Sequence, residues 1–515
     1  MAKIDTKEFK KMNAYACAEG YSGGVSMIIA SYFMLYLTVV EQIDPYWAGL
    51  AIMIGKVWDG VTDPIMGVLV ERTKSKLGKC RPYLLVSVIP AFLSFFMLWY
   101  SFGLQNEVHK VVYYTFSYIF FSTVYTIFAI PYSCLLPRIV GSYESRTNYS
   151  SMQMIYAGVA SVFSTYFFEF VIYSGHRGES ISPAFKSNFA IMGLVLGIIF
   201  ALPILITFLG VKEEPCLIKN TDITLKKVFS EYGSVLQNRS FTKNLGMGLA
   251  SGFIGNMVTL GMAFFTYIVL KQEPVLGMSI MTIVLTIKGA TEIGFFPANV
   301  VLMKKFNKHM PYKVCVPILM LACIIALFIP PEGSPWVFIV SISFLGIGVS
   351  ALGFVPMTLF ADITDVDEAI SGQRREGLMA GLSTFIKKVN SGIASFVAGL
   401  ILSAFGLKPS DPSKAIRTIQ TMWGVKIVYS IIPILASIIL LLIARTFKID
   451  NYSHTLIQKA IKEKHTQGYA TLTEAEQDTC KQVCGLPQEK IWLLQEVQTP
   501  PHLLEETGFH QLWHS

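Results

Sequence analysis

Charged residues are scarce in this chain: Asp, Glu, Lys and Arg together make up 15% of its 515 residues, against about 25% in ordinary soluble proteins. Hydrophobic residues make up 53%, and the mean hydropathy is +0.52. So little charge among so many apolar side chains excludes a soluble enzyme, a secreted disulfide-linked domain and a disordered protein as descriptions of the whole chain. The composition indicates a membrane protein.

Motifs for catalysis and for metal binding are also missing. The sequence has no Walker loop, HExxH pair, Rossmann glycine fingerprint or Ser–His–Asp arrangement in its required context. Its eight cysteines are scattered without a CxxC pair, so we expect free thiols and no zinc site. We therefore expect a protein that is not an enzyme, has no cofactor and does not pump with ATP.

Long apolar stretches recur along most of the chain. A helix needs about 20 apolar residues to cross roughly 30 Å of hydrocarbon, and twelve stretches are near that length. They are 14–40, 45–70, 82–102, 111–137, 151–173, 189–211, 245–270, 278–303, 314–330, 336–359, 378–405 and 423–444. The sequence therefore predicts an all-α membrane protein with twelve transmembrane helices.

Basic residues lie mostly on one side of these helices. The segments on the side of the N-terminus hold 23 Lys and Arg residues, and the loops on the other side hold seven. Because basic loops are retained in the cytoplasm, we expect both termini to be cytoplasmic. This topology also explains the net charge of +8, so no nucleic-acid partner is expected.

The polar stretch between the sixth and seventh helices divides the chain into two comparable halves. We predict an N-terminal six-helix bundle over 1–211, a central cytoplasmic loop over 212–244 and a C-terminal six-helix bundle over 245–449. Such six-plus-six repeats are typical of secondary transporters. Residues 450–515 are polar and predict a soluble cytoplasmic tail.

Three ionisable side chains fall within the second predicted helix. Lys56, Asp59 and Asp63 are spaced i, i+3, i+7 and share one face. Ionisable residues at membrane depth are costly and are therefore functional candidates. Two acids on one stripe repel each other unless a cation or a proton lies between them, and Thr62 adds an oxygen nearby. The pattern favours a site for sodium or a proton; the alternative is an internal ion network with no transport role.

Further charges lie in two helices of the second half. Lys387 and Lys388 point about 100° apart on a helix, so at most one faces the interior squarely, where it could neutralise the acids. Lys288 and Glu292 are four residues apart in the eighth helix, a spacing that favours a local ion pair.

Several motifs occur together in one order. They are WDGVTDPIMG with the following ERTKSKLGKCRPY, then YTIFAIPYSCLLPRI, then ADITDVDEAISGQRREGL leading into STFIKKVNSG. Over about residues 10–450 the chain resembles the glycoside–pentoside–hexuronide cation symporters of the major facilitator superfamily, the family of melibiose permease. The resemblance implies two six-helix bundles that expose a central site to each side in turn and, from the family's usual setting, a place in the cell membrane.

The resemblance also assigns residues to the cation site. Asp59 and Asp63 match the family's cation-binding aspartates, Thr62 stands where melibiose permease has an asparagine, and Thr126 matches a threonine beside the cation. Lys388 matches the lysine that links the cation and sugar sites, which gives it a coupling role. Lys56, also assigned to coupling, replaces an arginine, so it keeps the charge but not the planar fork.

The substrate side departs from the family pattern. The positions implied are Ser22, Ala129, Ser133, Gly353 and Thr384; the first four replace two aspartates and two tryptophans. Fewer acceptors and stacking rings predict a wider, less acidic pocket than a galactoside needs. We expect a monomeric symporter of a glycoside, a glucuronide or a related organic solute; the alternatives are a carrier or exporter of an amphipathic solute such as a steroid or lysolipid, a membrane-embedded enzyme, and a solute sensor.

Overall fold

A computed structural model describes nine segments of the chain, and the statements below concern these segments. They are residues 6–140, 143–174, 181–213, 232–270, 279–373, 375–407, 418–447, 449–467 and 469–495. Within them the secondary structure is helical, with one isolated bridge between Leu270 and Gly333. Most of the predicted central loop and the last 20 residues of the tail, 496–515, lie outside the described residues.

The first half contains six membrane helices. Helix α1 is built from Thr6–Ala16 and Glu19–Ile28 followed by two π-helical turns, Ile29–Phe33 and Tyr36–Val40. The others are α2 (Pro45–Arg72), α3 (Arg81–Met97), α4 (Glu107–Ile139), α5 (Tyr143–Ile172) and α6 (Lys186–Gly210). Glycines bring α1 against its neighbours: a Cβ atom on Gly23 would lie 2.6 Å from the carbonyl oxygen of Ala157 in α5. Only glycine fits that contact.

The second half repeats this number of helices. They are α7 (Arg239–Phe264, extended by a π turn to Val269), α8 (Ile280–Lys305), α9 (Met310–Leu327), α10 (Pro335–Ser371), α11 (Glu376–Ala404) and α12 (Ile419–Arg445, with a π turn at Ile427–Ile431). Each of the twelve predicted stretches therefore coincides with a helix, and the prediction of an all-α fold with twelve transmembrane helices is confirmed.

Nine of these helices are, within the described residues, long and apolar enough by themselves to cross a membrane. The exceptions have visible causes. Helix α1 is interrupted after Ala16, α3 is only 17 residues long, and α2 carries the three charged side chains of its interior face. These helices are placed by packing within the bundle rather than by hydropathy alone.

The two halves meet most closely at one end of the bundle. We call the end where α2 terminates at Arg72 the basic end, and the end where α2 begins at Pro45 the opposite end. At the opposite end, a Cβ atom on Gly399 of α11 would lie 2.2 Å from the carbonyl oxygen of Pro45. Tyr166 of α5 is also hydrogen-bonded to Thr286 of α8 there, at 3.2 Å. The opposite end is therefore closed.

The tail packs against the second half instead of extending away from it. Helices α13 (Asn451–Gln467) and α14 (Glu474–Cys484) lie at the basic end against α10. His454 lies 2.9 Å from Asp365, and His465 lies 3.0 Å from Glu368. The predicted boundary at residue 450 falls directly before α13, while α7 begins six residues before the predicted second bundle. The domain division stays a prediction.

Candidate functional site

The acids of α2 meet one hydroxyl group and one ammonium group. Thr126 Oγ1 of α4 lies 2.8 Å from Asp59 Oδ1 and 3.0 Å from Asp63 Oδ1. Lys388 Nζ of α11 lies 3.0 Å from Asp59 Oδ2 and 2.6 Å from Asp63 Oδ2. Each carboxylate thus has one oxygen on the threonine and one on the lysine. Because a hydroxyl carries a single proton, Thr126 donates to one carboxylate at a time.

Thr62 lies at the edge of this cluster. Its hydroxyl donates to backbone carbonyls of its own helix, at 3.1 Å from Trp58 and from Asp59, and lies 3.5 Å from Thr126 Oγ1. Trp58 Nε1 donates to Thr123 Oγ1 at 2.9 Å, which fixes α2 against α4. The structure therefore brings all four residues predicted for the cation site together, with Lys388 between the two acids.

Burial makes this cluster electrostatically sensitive. The Asp59 side chain is 6% exposed, that of Asp63 12% and that of Lys388 20%. At such burial, removing the positive charge from two adjacent carboxylates is costly unless another cation or a proton replaces it. The cluster is thus built to exchange one positive charge for another.

Lys56 lies on the same face of α2, nearer the opposite end. Gly55 lets the helix approach Tyr118 of α4, since a Cβ atom there would lie 2.1 Å from the ring. The Lys56 ammonium interacts with Tyr118 and, at longer range, with Asp59. Among the described residues, no carboxylate lies within 4.0 Å of the Lys56 ammonium group, so it forms no ion pair with them.

A cavity of about 510 Å³ adjoins this cluster between the two halves. Its lining combines apolar side chains with hydroxyl, amide and charged groups. The apolar lining residues include Val25, Ile29, Phe33, Met34, Ile52, Phe121 and Leu260. The polar and charged lining residues include Ser26, Lys56, Asp59, Tyr118, Ser122, Tyr125, Asn256, Thr259, Lys388, Ser391 and Ser395. Such a cavity suits an amphipathic organic molecule.

The five residues predicted for substrate binding lie outside this lining. Ser22 donates to Glu19, Ser133 donates to the carbonyl of Ala129 at 2.9 Å, and Gly353 and Thr384 are exposed. Ser22, Ala129 and Thr384 each stand one helical turn nearer the basic end than a lining residue of the same helix. The cavity thus lies deeper towards the opposite end than the resemblance implied, and a role in binding for these five stays a prediction.

The cavity also has lining residues that the sequence pattern does not indicate. Asn256 and Ser391 are hydrogen-bonded across α7 and α11 at 3.0 Å, and both line the cavity. Tyr118 and Tyr125 line it from α4, seven residues apart and therefore on one face. A polar side chain inside an apolar helix was the available signal, but many such residues in this chain are hydrogen-bonded to their own backbone.

Ion pairs at the basic end hold each half together separately. In the first half, Glu71 lies 3.0 Å from Lys79 and 2.8 Å from Arg138. In the second, Asp367 lies 2.8 Å from Arg375. Among the described residues, the ion pairs that join the two halves are those of Lys388 with the two aspartates.

Comparisons with known proteins agree with this architecture. A family described as MFS/sugar transport protein matches residues 14–451. The isoprimeverose transporter of Lactiplantibacillus pentosus is 25% identical over 88% of this chain and 91% of its own length. An uncharacterized symporter of Synechocystis sp. is 22% identical over 88% of this chain and 97% of its own.

The fold also resembles a solved structure. The crystal structure of a D-xylose-proton symporter aligns with a TM-score of 0.59 over 84% of this chain and 96% of that one, at 12% identity. The protein is therefore a multi-pass membrane protein with the fold of the major facilitator superfamily. From the family match and the site geometry together, the chain belongs to the MFS/sugar transport protein family, in its glycoside–pentoside–hexuronide cation symporter branch.

Proposed function

We propose that this protein is a secondary symporter that couples a monovalent cation, sodium or a proton, to the movement of a glycoside, glucuronide or related organic solute. The observation that carries the proposal is the cluster of two buried acids sharing Thr126 and Lys388. Oxygen ligands from carboxylates and hydroxyls suit a small hard cation. The relatives' names, a transporter and symporters, support transport rather than an enzymatic activity.

The cluster supplies a mechanism for coupling. When a cation binds between Asp59 and Asp63, it takes over the charge compensation that Lys388 provides. Lys388 also lines the cavity, so its ammonium becomes available to a solute there. Each ligand thereby raises the affinity of the protein for the other, and this coupling of the two binding free energies is what symport requires.

Closure at one end supports alternating access. The halves touch tightly at the opposite end, where Gly399 meets Pro45 and Tyr166 meets Thr286. At the basic end the described ion pairs remain within each half. Rocking of one half against the other would open the first end and close the second.

The proposal includes the orientation, location and partners of the protein. Both termini lie in the cytoplasm and the protein acts in the cell membrane as a monomer, with the solute and the cation as its partners. It uses no cofactor and binds no nucleic acid. The excess of basic residues on the side of the termini supports this orientation.

Cation binding can be tested without knowing the solute. Sodium should raise the midpoint of thermal unfolding of the purified protein, because a ligand that binds only the folded state stabilises it. The Asp59→Asn and Asp63→Asn variants should lose this rise. Glu292→Gln, which removes a carboxylate paired with Lys288 at 3.0 Å, is the matched control and should keep it.

Two results would count against the proposal. One is a sodium response that survives both aspartate substitutions. The other is a lack of response to sodium combined with solute uptake that neither a sodium gradient nor a pH gradient changes.

A carrier of an amphipathic solute is the alternative. The apolar lining residues, Ile29, Phe33 and Phe121 among them, favour it. Uptake assays with a steroid glycoside and a lysolipid, set beside a short aryl glycoside, distinguish the two functions. Export of the amphipathic solute against an inward sodium gradient would favour the alternative.

A further inference from the structure

We propose that Lys56 selects an organic monoanion, a carboxylate or a sulfate ester carried on an apolar body, and that the cation and this anion move together without net charge. The inference rests on the proposed function, because it names the substrate class of the same cavity. It follows from the position of one ammonium group and from the charges around it.

Lys56 is compensated differently from Lys388. Lys388 contacts two carboxylates at 2.6 and 3.0 Å. Lys56 interacts with Tyr118 and only at longer range with Asp59. In the described part of the chain it has no carboxylate within 4.0 Å, and it lines the cavity directly.

The charges of the site favour a ligand with one negative charge when the cation is bound. Lys56 and Lys388 balance Asp59 and Asp63, so the cluster is neutral as it stands. A bound monovalent cation leaves one positive charge in excess. A net charge at membrane depth is expensive, and a monoanion in the cavity removes it.

The two ligands then meet complementary groups. Cation binding releases Lys388 from the acids, so that two ammonium groups, those of Lys56 and Lys388, face the same cavity. An oxyanion accepts charge-assisted hydrogen bonds from both. Phe33 and Phe121 line the same cavity and would contact the apolar body. A neutral glycoside would contact the apolar lining residues but leave the ammonium groups without a counter-ion.

Three probes with one aryl body test the charge requirement. They are para-nitrophenyl glucuronide, para-nitrophenyl sulfate and the neutral para-nitrophenyl glucoside, each offered to the full chain in proteoliposomes under an inward sodium gradient. We expect initial uptake of at least one anion to exceed that of the glucoside by about tenfold or more. The glucuronide and sulfate arms distinguish a carboxylate from a sulfate as the preferred group.

Variants assign this preference to Lys56. Lys56→Met should reduce the ratio of anion uptake to glucoside uptake about tenfold or more, whereas Lys56→Arg keeps the charge and should retain the preference. Lys387→Met is the matched control, because Lys387 is exposed, lies outside the cavity lining and should leave the ratio unchanged. Gel filtration of each variant verifies folding.

A measurement on the unsubstituted protein covers the case in which Lys56→Met does not fold. Sodium-driven anion uptake should not change when an inside-negative potential is imposed, because no net charge moves. Acceleration by that potential would overturn the inference, as would equal uptake of glucoside and anions or an unchanged ratio in Lys56→Met. If neither a sodium nor a pH gradient stimulates uptake of any of the three probes, the proposed function itself fails.

Discussion

Closure at the opposite end depends on the absence of a single carbon atom at Gly399. In α11 this residue is buried, and a Cβ atom would lie 2.2 Å from the Pro45 carbonyl oxygen and 3.0 Å from its carbon. Contacts below 3.0 Å with backbone cannot be relieved by rotating a side chain. Gly399→Ala should therefore force α2 and α11 apart at this end and favour the state that is open there.

The size of the shift can be estimated. Inserting a methyl group into a packed contact costs about 1–3 kcal/mol, and 1.4 kcal/mol changes a population ratio about tenfold. The closed state should thus lose roughly fivefold to 150-fold in population relative to the open one. Gly377→Ala provides the control in the same helix, because its Cβ atom would have nothing within 4 Å.

Spin labels measure the separation. Trp47 of α2 and Leu400 of α11 lie near the opposite end and are 44% and 45% exposed, so cysteines introduced there carry labels without disturbing the core. Electron–electron double resonance should show a longer-distance population in Gly399→Ala that is weaker in Gly377→Ala and in the parent. Identical distance distributions in all three proteins would refute the argument.

Three further predictions concern other parts of the chain. Burial raises the pKa of Cys480 from 9.0 to about 11 and that of Cys484 from 9.0 to about 12. Iodoacetamide should therefore label both thiols slowly at about pH 8 in the native protein and rapidly in urea, and equal labelling rates in both conditions would contradict this. The contribution of these thiols to the stability of the tail should be complete below pH 9.0 and fall as the pH rises towards these values. Burial lowers the pKa of His309 below 6.5, so the free energy of unfolding should fall as pH drops below about 6.5, and His309→Phe should reduce that slope; an unchanged slope argues against it. Lys288→Met combined with Glu292→Gln removes a local pair and should change sodium affinity by less than about twofold in a titration of thermal stability, whereas a large loss would place the pair in the cation site.

Local periodicity was enough to predict the helices and the three cation-site residues of α2, Thr62 among them, whereas Thr126 was assigned by the family resemblance. The i, i+3, i+7 spacing in α2 puts Lys56, Asp59 and Asp63 on one face in any helix, whatever packs against it. Spacing alone left the choice between Lys387 and Lys388 open, because the two point in different directions by about 100°. The family resemblance selected Lys388, and the structure places its ammonium between the acids.

Features that depend on how distant segments pack cannot be predicted from local spacing. The cavity wall combines α1, α2, α4, α7 and α11, so a one-turn difference in depth moves Ser22 and Ala129 out of it while Ser26 and Tyr125 remain. The docked tail is similar. Its contacts join His454 to Asp365, 89 residues apart in the sequence, and no local pattern in a polar, charged segment indicates such a partner.

The placement of charge between the halves links binding to movement. Within the described residues, Lys388 and the two aspartates form the ion pairs that cross from one half to the other, while the remaining described pairs lie within one half or its attached segments. A cation that displaces Lys388 therefore breaks the ion pairs between the halves and at the same time leaves the site with a net positive charge. If the solute then binds Lys388, the solute itself connects the two halves. Movement with both ligands or with neither is favoured for this reason, because in each case the buried acids and lysines are compensated.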